Sequence, residues 1–133
     1  MNAVFRDTVG LLALWDVADQ WHAPAEEAFA ELVALKIPLV TSSFVLLECG
    51  NAAARKPYRD VVAELRKTLL AREELFEPTS DEIEAAWIAF ENKEADRAGI
   101  VDQTSFAIMR RLSIRQAFTN DKHFESAGFE ILF

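Results

Sequence analysis

Four carboxylates, Asp7, Glu48, Asp102 and Asp121, stand where an apolar run stops or where a helix should begin. They are spread over the whole chain, so only folding can gather them. Acids gathered at one edge of a sheet repel each other unless a cation lies between them. Their hard oxygen donors suit Mg2+ or Mn2+, and the chemistry that such a site most often serves is phosphodiester hydrolysis. Each acid also has a plainer reading. Asp7 and Asp102 could cap the helices that follow them, Glu48 could be a surface acid favoured by a helix dipole, and Asp121 could be a turn residue.

The elements that must position these acids can be read from apolar periodicity. Short runs at Ala3–Phe5, Pro38–Thr41, Glu74–Pro78, Gln116–Thr119 and Phe129–Phe133 read as strands. Between them lie helical patterns. Gly10 allows a tight turn into Leu11–Trp15, and Pro24 opens a helix with Ala28, Leu32 and Leu35 on one face. Ser42 or Ser43 caps a third helix, in which Phe44, Leu47 and Asn51 share a face and Glu48 lies in the first or second turn. Tyr58–Leu70 points Val61, Val62, Leu65 and Leu69 inward. Thr79 or Ser80 starts the next helix, with Ile83, Trp87 and Ile88. Phe106, Met109 and Leu112 then mark a helix from about Asp102. Helices alternating with short apolar strands predict an α/β fold of three layers, with a mostly parallel central sheet of four to five strands. In such sheets functional groups collect beyond the carboxyl ends of the strands.

One compact domain over residues 1–133 is expected, since half of the chain is hydrophobic (51%) and no linker or repeat interrupts it. One cysteine, Cys49, suits a reducing, cytoplasmic setting and reads as a small buried residue. No run approaches the ~18 apolar residues of a membrane span, and the start lacks the pattern of a signal peptide. A net charge of −8 argues against a non-specific nucleic-acid binder but not against a metal nuclease, whose ion reverses the local field. Arg110, Arg111 and Arg115 could supply a local basic patch. His22 and His123 read as poor ligands, because neither has a second histidine or a cysteine at metal spacing. Trp15, Trp21 and Trp87 read as core or interface residues.

Four segments resemble the PIN-domain family, and within it the small toxin ribonucleases called VapC. They are Ala3–Thr8 with the following Leu11 and Leu14, Leu39–Glu48, Val101–Ile114, and Ala117–Phe124 with Ala127–Phe129. The resemblance covers nearly the whole chain. It implies an α/β/α domain that cleaves RNA with Mg2+ or Mn2+, a small antitoxin partner and a homodimer. Its acidic positions fall on Asp7, Glu48, Asp102 and Asp121, and its hydroxyl positions on Thr8 and Thr119. Asp7 and Asp102 would then be the main metal ligands. Glu48 would hold the ion directly or through water, or orient the attacking water, and Asp121 would add a further carboxylate. Asn120 would fix the turn into Asp121. Three positions depart from the common pattern: Arg6 replaces a small or apolar residue, Gly99 a serine, and Gln103 a cysteine. The rival expectation is a PIN-fold interaction protein with weak or no catalysis. A phosphatase or receiver-like domain is a third, weakened because the middle strands lead to Glu48 on a helix and to Pro78.

Overall fold

The computed structural model describes residues 2–133. Its elements are β1 (Val4–Arg6), α1 (Thr8–Trp15), α2 (His22–Ala34), β2 (Leu39–Val40), α3 (Ser43–Ala53) and α4 (Arg59–Ala71), followed by α5 (Ser80–Glu91), α6 (Glu94–Arg97), α7 (Ile100–Arg111), β3 (Gln116–Phe118), α8 (Lys122–Ser126) and β4 (Glu130–Ile131). The four strands pair in the order β2-β1-β3-β4, and every pair is parallel. Strand residues alternate between two apolar layers. Phe5 and Ala117 pack into the larger core with Phe106, Ile108, Met109 and Phe124. Val4 and Phe118 pack on the other face with Ala13, Ala25 and Leu32. The result is the α/β/α sandwich expected from the alternation of elements.

Strand β1 is central, with β2 on one side and β3 on the other. The chain therefore changes direction across the sheet at the carboxyl end of β1, where a crevice forms in open α/β sheets. Asp7 is the first residue beyond that end. Its N–H donates to the Phe118 carbonyl at 3.3 Å, which locks the ends of β1 and β3 together.

Several local expectations need correction. Gly10 makes no turn; it lies inside α1. A Cβ there would sit 2.0 Å from the Phe118 carbonyl oxygen, so glycine is needed for the close approach of helix to strand. The segment Glu74–Pro78 is not a full strand. It makes a single parallel bridge, Thr41 to Leu75, before Pro78 leads the chain into α5. Helix α3 buries Val45, Leu46, Cys49 and Ala53, while Leu47 faces solvent. Val61 of α4 and Trp87 and Ile88 of α5 are also exposed. The start of α5 is a capping box of Thr79 with Glu82: Glu82 N–H donates to Thr79 Oγ1 at 3.1 Å, and Thr79 N–H to Glu82 Oε1 at 2.8 Å.

Gly10→Ala forces a methyl group into backbone and should cost at least about 1–3 kcal/mol. Urea denaturation of the purified variant measures it. A loss below about 0.5 kcal/mol would show that the contact between α1 and β3 is not fixed as described.

Candidate metal centre

The four acids predicted from sequence reach the same edge of the sheet by different routes. Asp7 is the N-cap of α1, in extended conformation after β1. Glu48 lies in the second turn of α3, and Asp102 in the first turn of α7. Asp121 is the N-cap of α8, three residues beyond β3. Burial grades outward: Asp7 is buried, Asp102 and Asp121 are half-buried, and Glu48 is exposed.

Two threonines hold the acids. Thr119 Oγ1 donates to Asp7 Oδ2 at 2.8 Å and accepts from Asp121 N–H at 3.0 Å. It is fully buried, so one hydroxyl ties the acid after β1 to the acid after β3. Thr8 Oγ1 donates to Glu48 Oε1 at 2.6 Å, joining the start of α1 to α3. The turn into Asp121 is therefore bonded through Thr119, where the sequence pointed to Asn120.

The capping readings hold in part. Asp7 accepts from Val9 N–H at 3.3 Å, and Asp121 accepts from His123 N–H at 2.9 Å. Each caps a helix while its neighbours crowd it with further acids. Asp102 is no cap, because Gly99 holds that position. A Cβ at Gly99 would meet nothing within 4 Å, so glycine in place of serine leaves the packing there unchanged.

Electrostatics register the crowding. Burial, and then the charges of Asp102 and Asp121, push the Asp7 carboxyl up to about 8, against the hydrogen bonds from Thr119 and Val9. Burial, and then Asp121 and Glu48, push Asp102 up to about 6. Cys49 behind them is raised to about 12 by burial and by the Asp7 and Glu48 charges, which leaves it an inert thiol. Among the described residues no lysine or arginine pairs with Asp7, Glu48 or Asp102.

Sequence reasoning missed His123. Ligand atoms of Asp102, Asp121 and His123 all lie within 4.8 Å of one another. His123 Nδ1 lies 2.8 Å from Asp121 Oδ1, and this carboxylate raises the imidazole pKa against its own burial. The signal was the Asp-x-His step at a helix start, which turns the ring back over the cap. The arginines near Asp102 and Asp121 in sequence do not face the centre. Arg111 pairs with Glu82 and donates to the Glu77 carbonyl, and Arg110 lies over Phe106 and Phe129. Arg115 precedes β3, at the opposite end of the strands.

The model of the PIN domain matches residues 7–130. The chain is a PIN domain. This PIN domain is 33% identical over 135 residues to the "23S rRNA-specific endonuclease VapC20" of two Mycobacterium tuberculosis strains, CDC 1551 / Oshkosh and ATCC 25618 / H37Rv, with 95% of each chain covered. It also matches the crystal structure of that species' VapC20, described as a sarcin-ricin loop cleaving toxin. The TM-score is 0.79 at 29% identity, and 96% of both chains is covered. No described helix is long and apolar enough to cross a membrane.

Linkage gives the metal-free PIN domain a defined pH response. An aspartate raised from 3.8 to about 8 binds its proton more tightly in the folded state. Its stabilising contribution is complete below the unfolded pKa and is lost as pH rises through about 8. In EDTA, Asp7→Asn should therefore melt several degrees above wild type near pH 9, and the gap should close near pH 4. Thermal denaturation followed by circular dichroism measures this. A variant that melts below wild type near pH 9 would contradict the burial of an uncompensated acid.

Proposed function

We propose that this PIN domain is a divalent-metal-dependent endoribonuclease that hydrolyses phosphodiester bonds in RNA, and that it acts as the toxin of a toxin–antitoxin pair. The observation that carries the reading is a buried acid, Asp7, crowded by the charges of Asp102 and Asp121 and paired with no lysine or arginine among the described residues. Such a donor set fits Mg2+ or Mn2+. Asp7 and Asp102 would hold the ion, and Asp102 also shares with Asp121 and His123 a group of ligand atoms within 4.8 Å of one another, which does not include Asp7. When bound, the ion offsets the charge of the phosphodiester and acidifies water.

The remaining chemistry falls to the chain's own side chains. Glu48 is the exposed acid of the group, and it orients the attacking water by accepting its hydrogen bond. Thr8 fixes the direction of that carboxylate by donating to one of its oxygens. Thr119 keeps Asp7 in one rotamer and sets the distance between the acids that follow β1 and β3. His123 restrains Asp121, and its ring nitrogen stands at the half-buried mouth of the centre. Two departures motivate the rival, a catalytically weak interaction protein: Gly99 stands at the N-cap of α7 in open space and without a side-chain cap bond, and Arg6 projects from the sheet face opposite Asp7. A small antitoxin and a homodimer remain proposals that follow from the toxin reading.

Purified protein should cut RNA in Mg2+ or Mn2+ and stop in EDTA. The panel should include structured RNAs, transfer RNAs and a sarcin–ricin-loop hairpin, since the relative is described as cutting that loop. Asp7→Asn and Asp102→Asn should each lower cleavage by more than about 100-fold, and Thr119→Val by about 10- to 100-fold. Metal-independent cleavage, or full activity in Asp7→Asn, would refute the assignment.

A further inference from the structure

Between α5 and α7 the backbone takes a conformation that side chains disfavour. Lys93, Ala95, Asp96 and Arg97 all have positive φ, from 52° to 62°, and none of them is glycine. Arg97 N–H donates to the Lys93 carbonyl at 3.2 Å and Ala98 N–H to the Glu94 carbonyl at 3.3 Å, so α6 closes around a left-handed turn. Such segments persist only where their surroundings fix them, and they cluster at active sites and ligand clamps. Two contacts fix this one. Gln103, buried in α7, donates from Nε2 to the Glu94 carbonyl at 3.0 Å. Ala98 is buried in the larger core, with Ala95 packed against that core.

The turn stands beside the acids. Gln103 is the residue after Asp102, so its bond ties the turn to the helix that carries that acid. Helix α6 also packs against α8, whose cap and first turns hold Asp121 and His123. Against its own burial, the His123 imidazole pKa is raised by Asp121, by Asp102 and then by Asp96 of the turn, which sets the turn near the mouth of the centre. Lys93 and Arg97 are both exposed, and neither side chain forms an ion pair among the described residues. The bond from Arg97 N–H to the Lys93 carbonyl keeps the two cations on one turn. Glu94 and Asp96 equal them in number, so the turn offers individual contacts rather than a general attraction. An RNA strand brings further phosphates on either side of the one that is cut. Those phosphates meet the field of the acids unless a cation is placed for them.

We propose that the Lys93–Arg97 turn holds the RNA backbone beside the cut, with Arg97 and Lys93 binding phosphate next to the scissile group. The proposal rests on the endoribonuclease reading and adds to it the residues that position the strand. The Arg97 guanidinium suits the task, because its planar fork can pair two phosphate oxygens at once. A phosphate contact carries no base information, so it serves every RNA sequence alike. Gln103 keeps the contact at a fixed place relative to Asp102.

Fluorescence anisotropy of a labelled stem-loop RNA and a labelled oligouridylate, in EDTA over a range of salt, tests the contact without cleavage. Arg97→Gln and Lys93→Gln should each weaken both RNAs alike, by about 3- to 10-fold, and lower the slope of log Kd against log salt by about 1. Arg97→Lys keeps the charge and should keep the wild-type slope. Arg115→Gln removes the same charge at the opposite end of the strands and should leave affinity and slope unchanged. All of these side chains are exposed, and circular dichroism checks that the variants fold. A wild-type slope in Arg97→Gln or Lys93→Gln would overturn the proposal. So would an equal loss in Arg115→Gln, a loss confined to one RNA, or no salt-dependent binding by wild type. Cleavage of the stem-loop RNA in Mn2+ is followed separately. Wild type that binds as described but cuts no RNA would refute the nuclease reading alone. Wild type that cuts, with KM unchanged in Arg97→Gln, would refute the phosphate contact alone.

Discussion

The hydroxyl of Thr119 touches both Asp7 and the backbone of Asp121, and the site is organised around that contact. It can form only because β1 and β3 lie side by side in parallel and end at the same level. Gly10 allows that closeness by letting α1 press onto the end of β3. The arrangement drives acids together where burial already disfavours their charge. Such a cluster is costly when every acid is charged; protonation of Asp7 relieves part of that cost, and the proposed divalent cation would relieve it in the proton's place. Fold and function thus pull in opposite directions at Asp7: the packed sheet is best served by a neutral side chain, and the proposed ligand must be an anion.

Much of this was legible in the chain because each acid terminates a recognisable apolar element. Asp7 follows Val4 and Phe5, and Asp121 follows Ala117 and Phe118. A strand end is a place where sequence and space agree, since parallel strands bring all their carboxyl ends to one edge. Gathering Glu48 and Asp102 from helices was harder to foresee, yet both lie in the early turns of helices that start at that edge.

Other features were hidden for physical reasons. Helix α3 opens with Phe44-Val45-Leu46-Leu47, apolar on every side, so periodicity could not choose between the buried Val45–Cys49–Ala53 stripe and the neighbouring one with Leu47. Thr41 and Leu75 pair through a single bridge, and the strand pattern of Glu74–Pro78 overstated that contact. His123 was dismissed for want of a second histidine, although its partners are carboxylates brought from α7 and from its own helix cap. The arginines near Asp102 and Asp121 were spent on Glu82 and on aromatic rings, which a linear charge pattern does not reveal.

The most direct measurement is the number of protons released when Mn2+ binds, from calorimetry near pH 7 in buffers of different ionisation enthalpy. An Asp7 carboxyl held up to about 8 carries its proton in the metal-free protein at that pH and must lose it to become a ligand. The account predicts release of about one proton per ion bound, falling toward zero above about pH 9. Binding with no proton release near pH 7, or no binding of Mn2+ at all, would contradict a buried acid cluster built to receive a divalent cation.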